Sequence, residues 1–229
     1  MTNLYLNIFL IILSAVFHSC SLIYDSDSKN EQHPIFSENF SEQYDYFIIL
    51  NTQHPTSLKM YMQSPFDTIS VDLNGKNAYK SNFSDRQYGN KYTIYTEIDS
   101  NIINTHENVN FVIKFLNKSY SGSINRIVNF LCDFSDIKSG NSHVVSWNSY
   151  SKIDKFEIQT TLIDENGDII KSKLWQLSGE NRKFEIPESY FDTKDGLWIL
   201  ITVYAANYFE KKNFYFLTYN MNSILYKLN

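Results

Sequence analysis

Few residues in this 229-residue chain stand at spacings that support chemistry. Of its five histidines, His18 follows the N-terminal apolar run, and His33 and His54 each precede a proline. His106 lies in a polar stretch and His143 opens an apolar one. No two share a metal-ligand spacing, and neither an HExxH motif nor a Cys/His cluster is present. No metal or cofactor is therefore expected. The nucleophile elbow GxSxG, the phosphate loop GxxxxGK[ST] and the dinucleotide fingerprint GxGxxG are all missing. The run Asp164-Glu165-Asn166-Gly167-Asp168 looks at first like a calcium loop. It lacks the spaced ligands and distal Glu of such a loop and reads as a hairpin turn with charged flanks. Glu185 with Glu188, and Asp192 with Asp195, flank loops and read as solvated. Glycoside hydrolysis would need a carboxylate pair facing one cleft. Cys132, in Ile127-Val-Asn-Phe-Leu-Cys132, reads as a small buried apolar residue. A catalytic thiol would need a lowered pKa and a neighbouring base, and neither is signalled. Catalytic residues are therefore not expected.

Aromatic side chains remain. The chain holds 17 Tyr, 17 Phe and 3 Trp, and many crowd the C-terminal half. Exposed aromatics make flat platforms for sugar rings or partner proteins. Trp175 and Tyr204 are the candidate ligand-binding pair, for a glycan or protein partner. The competing reading is core and cross-strand packing. A net charge of -5 gives no electrostatic reason to expect nucleic acid, whose binding rests on clustered Lys and Arg.

Cys20 carries the firmest expectation. Ile8 to Phe17 is an apolar run of leader length, too short to span a bilayer core of roughly 30 Å as a helix. Phe17, His18 and Ser19 fill the three positions before Cys20. The pattern resembles the leader of bacterial lipoproteins, in which a diacylglycerol is attached to the Cys and the leader is cut just before it. Ser19 fits that pattern. Phe17 stands where Leu is usual, His18 where a small residue is usual, and Met1 to Asn7 lacks a Lys or Arg. The resemblance implies lipidation at Cys20, a membrane partner through that lipid, and residence in a bacterial cell envelope at the outer membrane. Residues 1–19 are then a signal peptide. Residues 20–44, rich in Ser, Asp, Asn, Glu and Gln, read as a solvated tether.

The elements that must position any site are strands. Leu197 to Asn207 is apolar on both faces, with Ile199, Ile201, Val203 and Ala205 on one and Trp198, Leu200, Thr202 and Tyr204 on the other. That is a central strand needing neighbours on both edges and a covering layer. Alternation predicts strands at Tyr46–Leu50, Ser57–Met62, Asp67–Leu73, Lys91–Ile98 and Val109–Leu116. Asn74-Gly75 marks a hairpin. Short strands at this spacing suggest an immunoglobulin-like sandwich over 45–123. Asn117–Ser123 reads as a boundary. Strands then follow at Ile124–Phe134, His143–Trp147, Lys155–Asp164, Ile169–Leu177 and Arg182–Ile186. The Leu197–Asn207 strand comes next, and a last strand runs from Asn213 to Tyr219 or on towards Leu228.

The order Val-Val-Ser-Trp147, Lys155-Phe-Glu-Ile, Phe184-Glu-Ile and Ile201-Thr-Val-Tyr-Ala205 resembles a fibronectin type III domain. The likeness implies a seven-stranded sandwich over 124–229 with Trp147 in its core and Phe156 against it. One departure stands out. The family often carries a Tyr near the start of the penultimate strand, where this chain has Trp198 and Ile199. The fold class expected is all-β, with two tandem immunoglobulin-like β-sandwich domains. The function expected is a membrane-anchored, non-enzymatic binding or scaffolding module, with surface glycan capture or an unrecognised enzyme as alternatives.

Overall fold

The computed structural model describes residues 44–53, 56–62, 69–81, 86–88, 91–104, 106–115, 118–135, 142–190 and 198–228. The predicted leader, Cys20, His54, Asp192 and Asp195 lie outside these residues, as does the tether up to residue 43. The described chain is β1 (Tyr46–Asn51), β2 (Ser57–Met62), β3 (Ile69–Leu73), β4 (Lys76–Ser81), β5 (Arg86–Tyr88), β6 (Lys91–Glu97), a helical turn α1 (Asn101–Asn104), β7 (Asn108–Phe115), β8 (Lys118–Asn125), β9 (Leu131–Asp133), β10 (His143–Asn148), β11 (Lys155–Ile163), β12 (Ile169–Ser178), β13 (Lys183–Ile186), β14 (Trp198–Lys211) and β15 (Phe214–Lys227). A 3-10 turn, Glu188–Tyr190, precedes β14. No described helix is long and apolar enough to cross a membrane.

The strands form three sheets. The largest runs β12-β11-β14-β15-β1-β2-β6-β5, and β4-β3-β7-β8 and β13-β10-β9 are the smaller two. Each small sheet packs its apolar face on one half of the large one. Alternation drives this, since every second side chain leaves a strand on the same face. Tyr46, Ile48 and Leu50 of β1 meet Val71, Phe111 and Ile113 in the first core. Ile199, Ile201, Val203 and Ala205 of β14 meet Val145, Trp147 and Phe156 in the second. Strands β9 to β15 are seven in number, three in one sheet and four in the other, as the fibronectin type III resemblance implied. Trp147 is buried, its ring centroid lies 5.0 Å from that of Phe156, and its Nε1–H donates to the Asn181 carbonyl at 3.0 Å. The all-β sandwich expectation therefore holds.

Three local expectations need correction. Asn117–Ser123 looks like linker because it is polar and carries a glycine, yet β8 runs through Lys118–Asn125 and pairs with β7. A Cβ on Gly122 would stand 2.8 Å from both the Phe111 and Phe209 rings. The glycine there makes room for aromatics and does not break the strand. Ile124–Phe134 is not one strand: β8 ends at Asn125 and β9 begins at Leu131, with Asn129 between them at φ 51°. The central strand is longer than expected, because β14 continues to Lys211.

That extra length joins the two sandwiches. Beyond Ala205 the inward side of β14 passes through Asn207 to Phe209. β15 returns with Phe214 and Phe216, both fully buried in the first core. Each contributes ~1.5–3 kcal/mol by leaving water. The core of the first sandwich is thus completed by residues from the far end of the chain. β15 also lies parallel to β1, Tyr46 opposite Phe214 and Asn51 opposite Tyr219.

Where the cores meet, Asn207 is buried and its side chain is fully used. Its amide donates to the Asn125 carbonyl at 2.9 Å and the Lys152 carbonyl at 2.8 Å, and its Oδ1 accepts from the Asp154 N–H at 2.7 Å. Thr218, opposite it in register, reaches the Asn125 carbonyl at 3.5 Å. A buried polar group left without its partner costs ~1–3 kcal/mol. Asn207→Ala strips partners from three backbone groups at once. It is expected to lower unfolding free energy by about 3 kcal/mol in urea titration, with Asn207→Asp at least as costly, since its second carboxylate oxygen would face the Asn125 and Lys152 carbonyl oxygens.

Candidate functional site

The large sheet has two faces, and the two candidate ligand-binding residues fall on different ones. Trp175 stands opposite Ile158 in register, whereas Tyr204 stands opposite Glu157. Glu157 and Ile158 are consecutive on β11, so their side chains leave on opposite sides. Trp175 faces the second core at its margin, its ring centroid 5.1 Å from Phe184 and 5.5 Å from Tyr190. Tyr204 faces outward. No single surface contains both.

Around Tyr204 the outward face is polar and aromatic. The Glu157 carboxylate beside it is buried, accepts from Gln176 Nε2 at 3.0 Å and pairs with Lys155 Nζ at 3.6 Å. Burial pulls the Lys155 ammonium below its ordinary pKa, and the Glu157 carboxylate opposes that shift. The Tyr219 ring lies 6.4 Å from Tyr204. Towards the hairpin turn, Tyr208 stacks on Tyr215 at 5.5 Å and 12°. Tyr44 completes the group, its hydroxyl donating to Glu210 Oε1 at 3.1 Å. Burial, reinforced by Glu210, pushes the Tyr44 phenol up to about 12, and burial raises Tyr215 further still.

The remaining chemical candidates take structural places. Asp164 Oδ1 accepts from the Asn166 and Asp168 N–H groups at 2.8 Å each, which closes the turn and holds its carboxyl below the usual range. Among the described residues no three His, Cys, Asp or Glu gather as a metal site. Glu185 and Glu188 are exposed. His143 is buried at the start of β10. Cys132 packs against the second core opposite Trp147, and burial pushes its thiol up to about 12. A thiol so raised holds almost no thiolate at neutral pH.

One residue escaped sequence reasoning. The corner tyrosine missing at Trp198 is replaced by Tyr190, upstream in the 3-10 turn. Its hydroxyl donates to the Thr160 carbonyl on β11 at 2.8 Å, and its own N–H bonds back to Pro187 at 2.9 Å. The available signal was Pro187-Glu-Ser-Tyr190, a turn that aims the phenol at the sheet.

No family model matches the chain, and no curated protein matches it. Solved structures do. The FN1–FN3 domains of chicken CNTN1 match at 9% identity and a TM-score of 0.31, covering 81% of this chain and 66% of that one. The central fibronectin-III array of RIM-binding protein matches at 12% identity and a TM-score of 0.25, covering 79% and 66%. Trypsin-activated alpha-2-macroglobulin from Escherichia coli matches at 11% identity and a TM-score of 0.26, covering 79% of this chain and 15% of that protein. The chain spans just under two thirds of the first two. At these scores the likenesses carry no functional weight.

Two expectations follow from the geometry. Trp175→Ala removes a ring from the core margin, so it lowers the melting temperature by several degrees, a cost of about 3 kcal/mol for a large aromatic. Tyr204→Ala, on the outward side, lowers it less. Tyr190 gives a pH signature. Burial raises its phenol from 10.0 to about 12 in the folded chain, so the folded state holds the proton after the unfolded state has lost it. That stability is complete below pH 10 and drains away as pH rises towards 12, up to ~2.7 kcal/mol for two pKa units. Tyr44 and Cys132 act with the same sign. Urea titrations over this window should show the decline, and Tyr190→Phe should make it shallower.

Proposed function

We propose that the chain is a lipid-anchored protein of a bacterial cell envelope, acting as a non-enzymatic binding or scaffolding module. Cys20 carries the reading: it follows an apolar run of leader length and a Ser, an arrangement that resembles a bacterial lipoprotein leader. The acyl chains hold the mature protein at the membrane, with the outer membrane as the proposed site. One chain alone anchors only marginally at ~0.8 kcal/mol per buried CH2, so a diacylglycerol's two chains are what make attachment lasting. Residues 20–44 are the proposed tether between lipid and body, and the two sandwiches present surface for a partner. The outward aromatic face around Tyr204, Tyr208 and Tyr219 is the part of that surface best equipped for a protein or glycan.

Metabolic labelling with an alkyne fatty acid, followed by membrane fractionation, tests the anchor. The wild type is expected to take up label and sediment with membranes, and Cys20→Ala to lose both. A wild-type protein that stays soluble and unlabelled would sink the reading.

A further inference from the structure

The edge strands of the three sheets are unequal. Among the described strands, β5, β13, β9, β4 and β8 hold between three and eight residues, whereas β12, Ile169–Ser178, holds ten. β12 pairs with β11 along one side, and no described strand pairs with the other. The outer N–H and C=O groups of such a strand are a template for another chain. Ile169 and Ile170 at its start are exposed. Long edges are commonly blunted by charge, and β12 carries Lys171 and Lys173 two positions apart, both exposed. These lysines share a face with Trp175 and Leu177, the face that looks into the second sandwich.

Both ammonium groups are held in place. Lys171 Nζ stands 4.7 Å from the Tyr190 ring centroid, and Lys173 Nζ stands 5.2 Å from that of Trp175. Ring faces attract a cation, and here they fix both along the margin of the sandwich. Neither lysine pairs with a carboxylate among the described residues, where the ion pair is Lys155 with Glu157 on the opposite face of the sheet. An edge of this kind rejects most partners. An apolar strand would cover two ammonium groups and bring no charge to answer them. A second copy of the chain, paired two-fold, would gather four lysines on one face, where like charges repel. A strand that brings carboxylates meets neither obstacle. We propose that the outer edge of β12 is a docking site for an extended acidic segment of another protein, with carboxylates at alternate positions opposite Lys171 and Lys173. Main-chain hydrogen bonds to β12 make the attachment, and the two ion pairs select the partner. The proposal rests on the binding-module reading and names the partner's chemistry. It does not depend on lipid at Cys20.

Backbone amide exchange of the full chain, with and without peptide, tests it. The probe is a peptide as long as β12 that alternates Glu and Thr, and its control alternates Lys and Thr. The chain's own net charge of -5 gives no general attraction for the acidic peptide. Outward-facing amides between Ile170 and Leu174 should exchange fast in the free chain and slow several-fold when the Glu peptide is added. The Lys peptide should bind at least ~10-fold more weakly, and added salt should narrow the difference. Lys171→Glu together with Lys173→Glu should reverse the preference, with an unchanged melting temperature as the check on folding. Should that pair fail to fold, Lys173→Gln alone should weaken the Glu peptide several-fold. Equal binding of the two peptides overturns the proposal, as does a Glu peptide that leaves β12 exchange unchanged. β12 amides already slow in the free chain overturn it too, and their release on dilution would make a second copy the occupant. None of these results bears on the fatty-acid labelling, so the two readings fail separately.

Discussion

One hairpin holds this molecule together. β14 and β15, fourteen residues each, run the length of both sandwiches and give each core part of its floor. The inward side of β14 reads Ile199, Ile201, Val203, Ala205, then Asn207, then Phe209. The inward side of β15 reads Phe214, Phe216, then Thr218, Asn220, Asn222, then Ile224 and Tyr226. Two apolar stretches are separated by a polar waist, and the waist falls where one core ends and the next begins. The rest of the fold follows, because each small sheet can seat only where the hairpin is apolar.

The waist also fixes register. Sliding β15 by one residue against β14 would turn Phe214, Phe216 and Ile224 outward and bring polar neighbours in. Asn207 fixes β14 itself, since its three hydrogen bonds bind that strand to the end of β8 and to the segment before β11. Asn222 adds a bond to the Phe130 carbonyl at 2.9 Å. Buried polar groups of this kind contribute little net energy when satisfied and a large penalty when not. They therefore select one arrangement more than they stabilise it.

Much of this was legible in the sequence, and the failures have physical causes. Strict alternation placed β2 and the strands at Asp67–Leu73 and Lys155–Asp164 closely, because a half-buried strand shows its period directly. Asn74-Gly75 made the turn it announced, with φ of 50° and 76°. The second pair, Asn166-Gly167, uses positive φ only at Gly167, and the register shifts between Leu162 and Ile163. That shift decides which way Trp175 faces, and nothing local encodes it. β8 was missed because a Gly in a serine-rich run looks like punctuation until the Phe111 and Phe209 rings are seen against it. The sharing of β15 between cores was invisible for a broader reason. It joins residues near opposite ends of the described chain, and periodicity carries no record of distant partners. Tyr190 was overlooked because the corner was sought at the strand itself.

The parallel pairing of β1 with β15 has a consequence for how the molecule is made. A growing polypeptide meets Tyr46 early and Phe214 only after nearly all intervening residues have emerged. Until then the β1 edge has no neighbour, the first core lacks two phenylalanines, and the loop still to be closed is almost as long as the body itself. Closing long loops is what makes β topologies slow to mature. Assembly of the first core therefore waits for synthesis to reach β15.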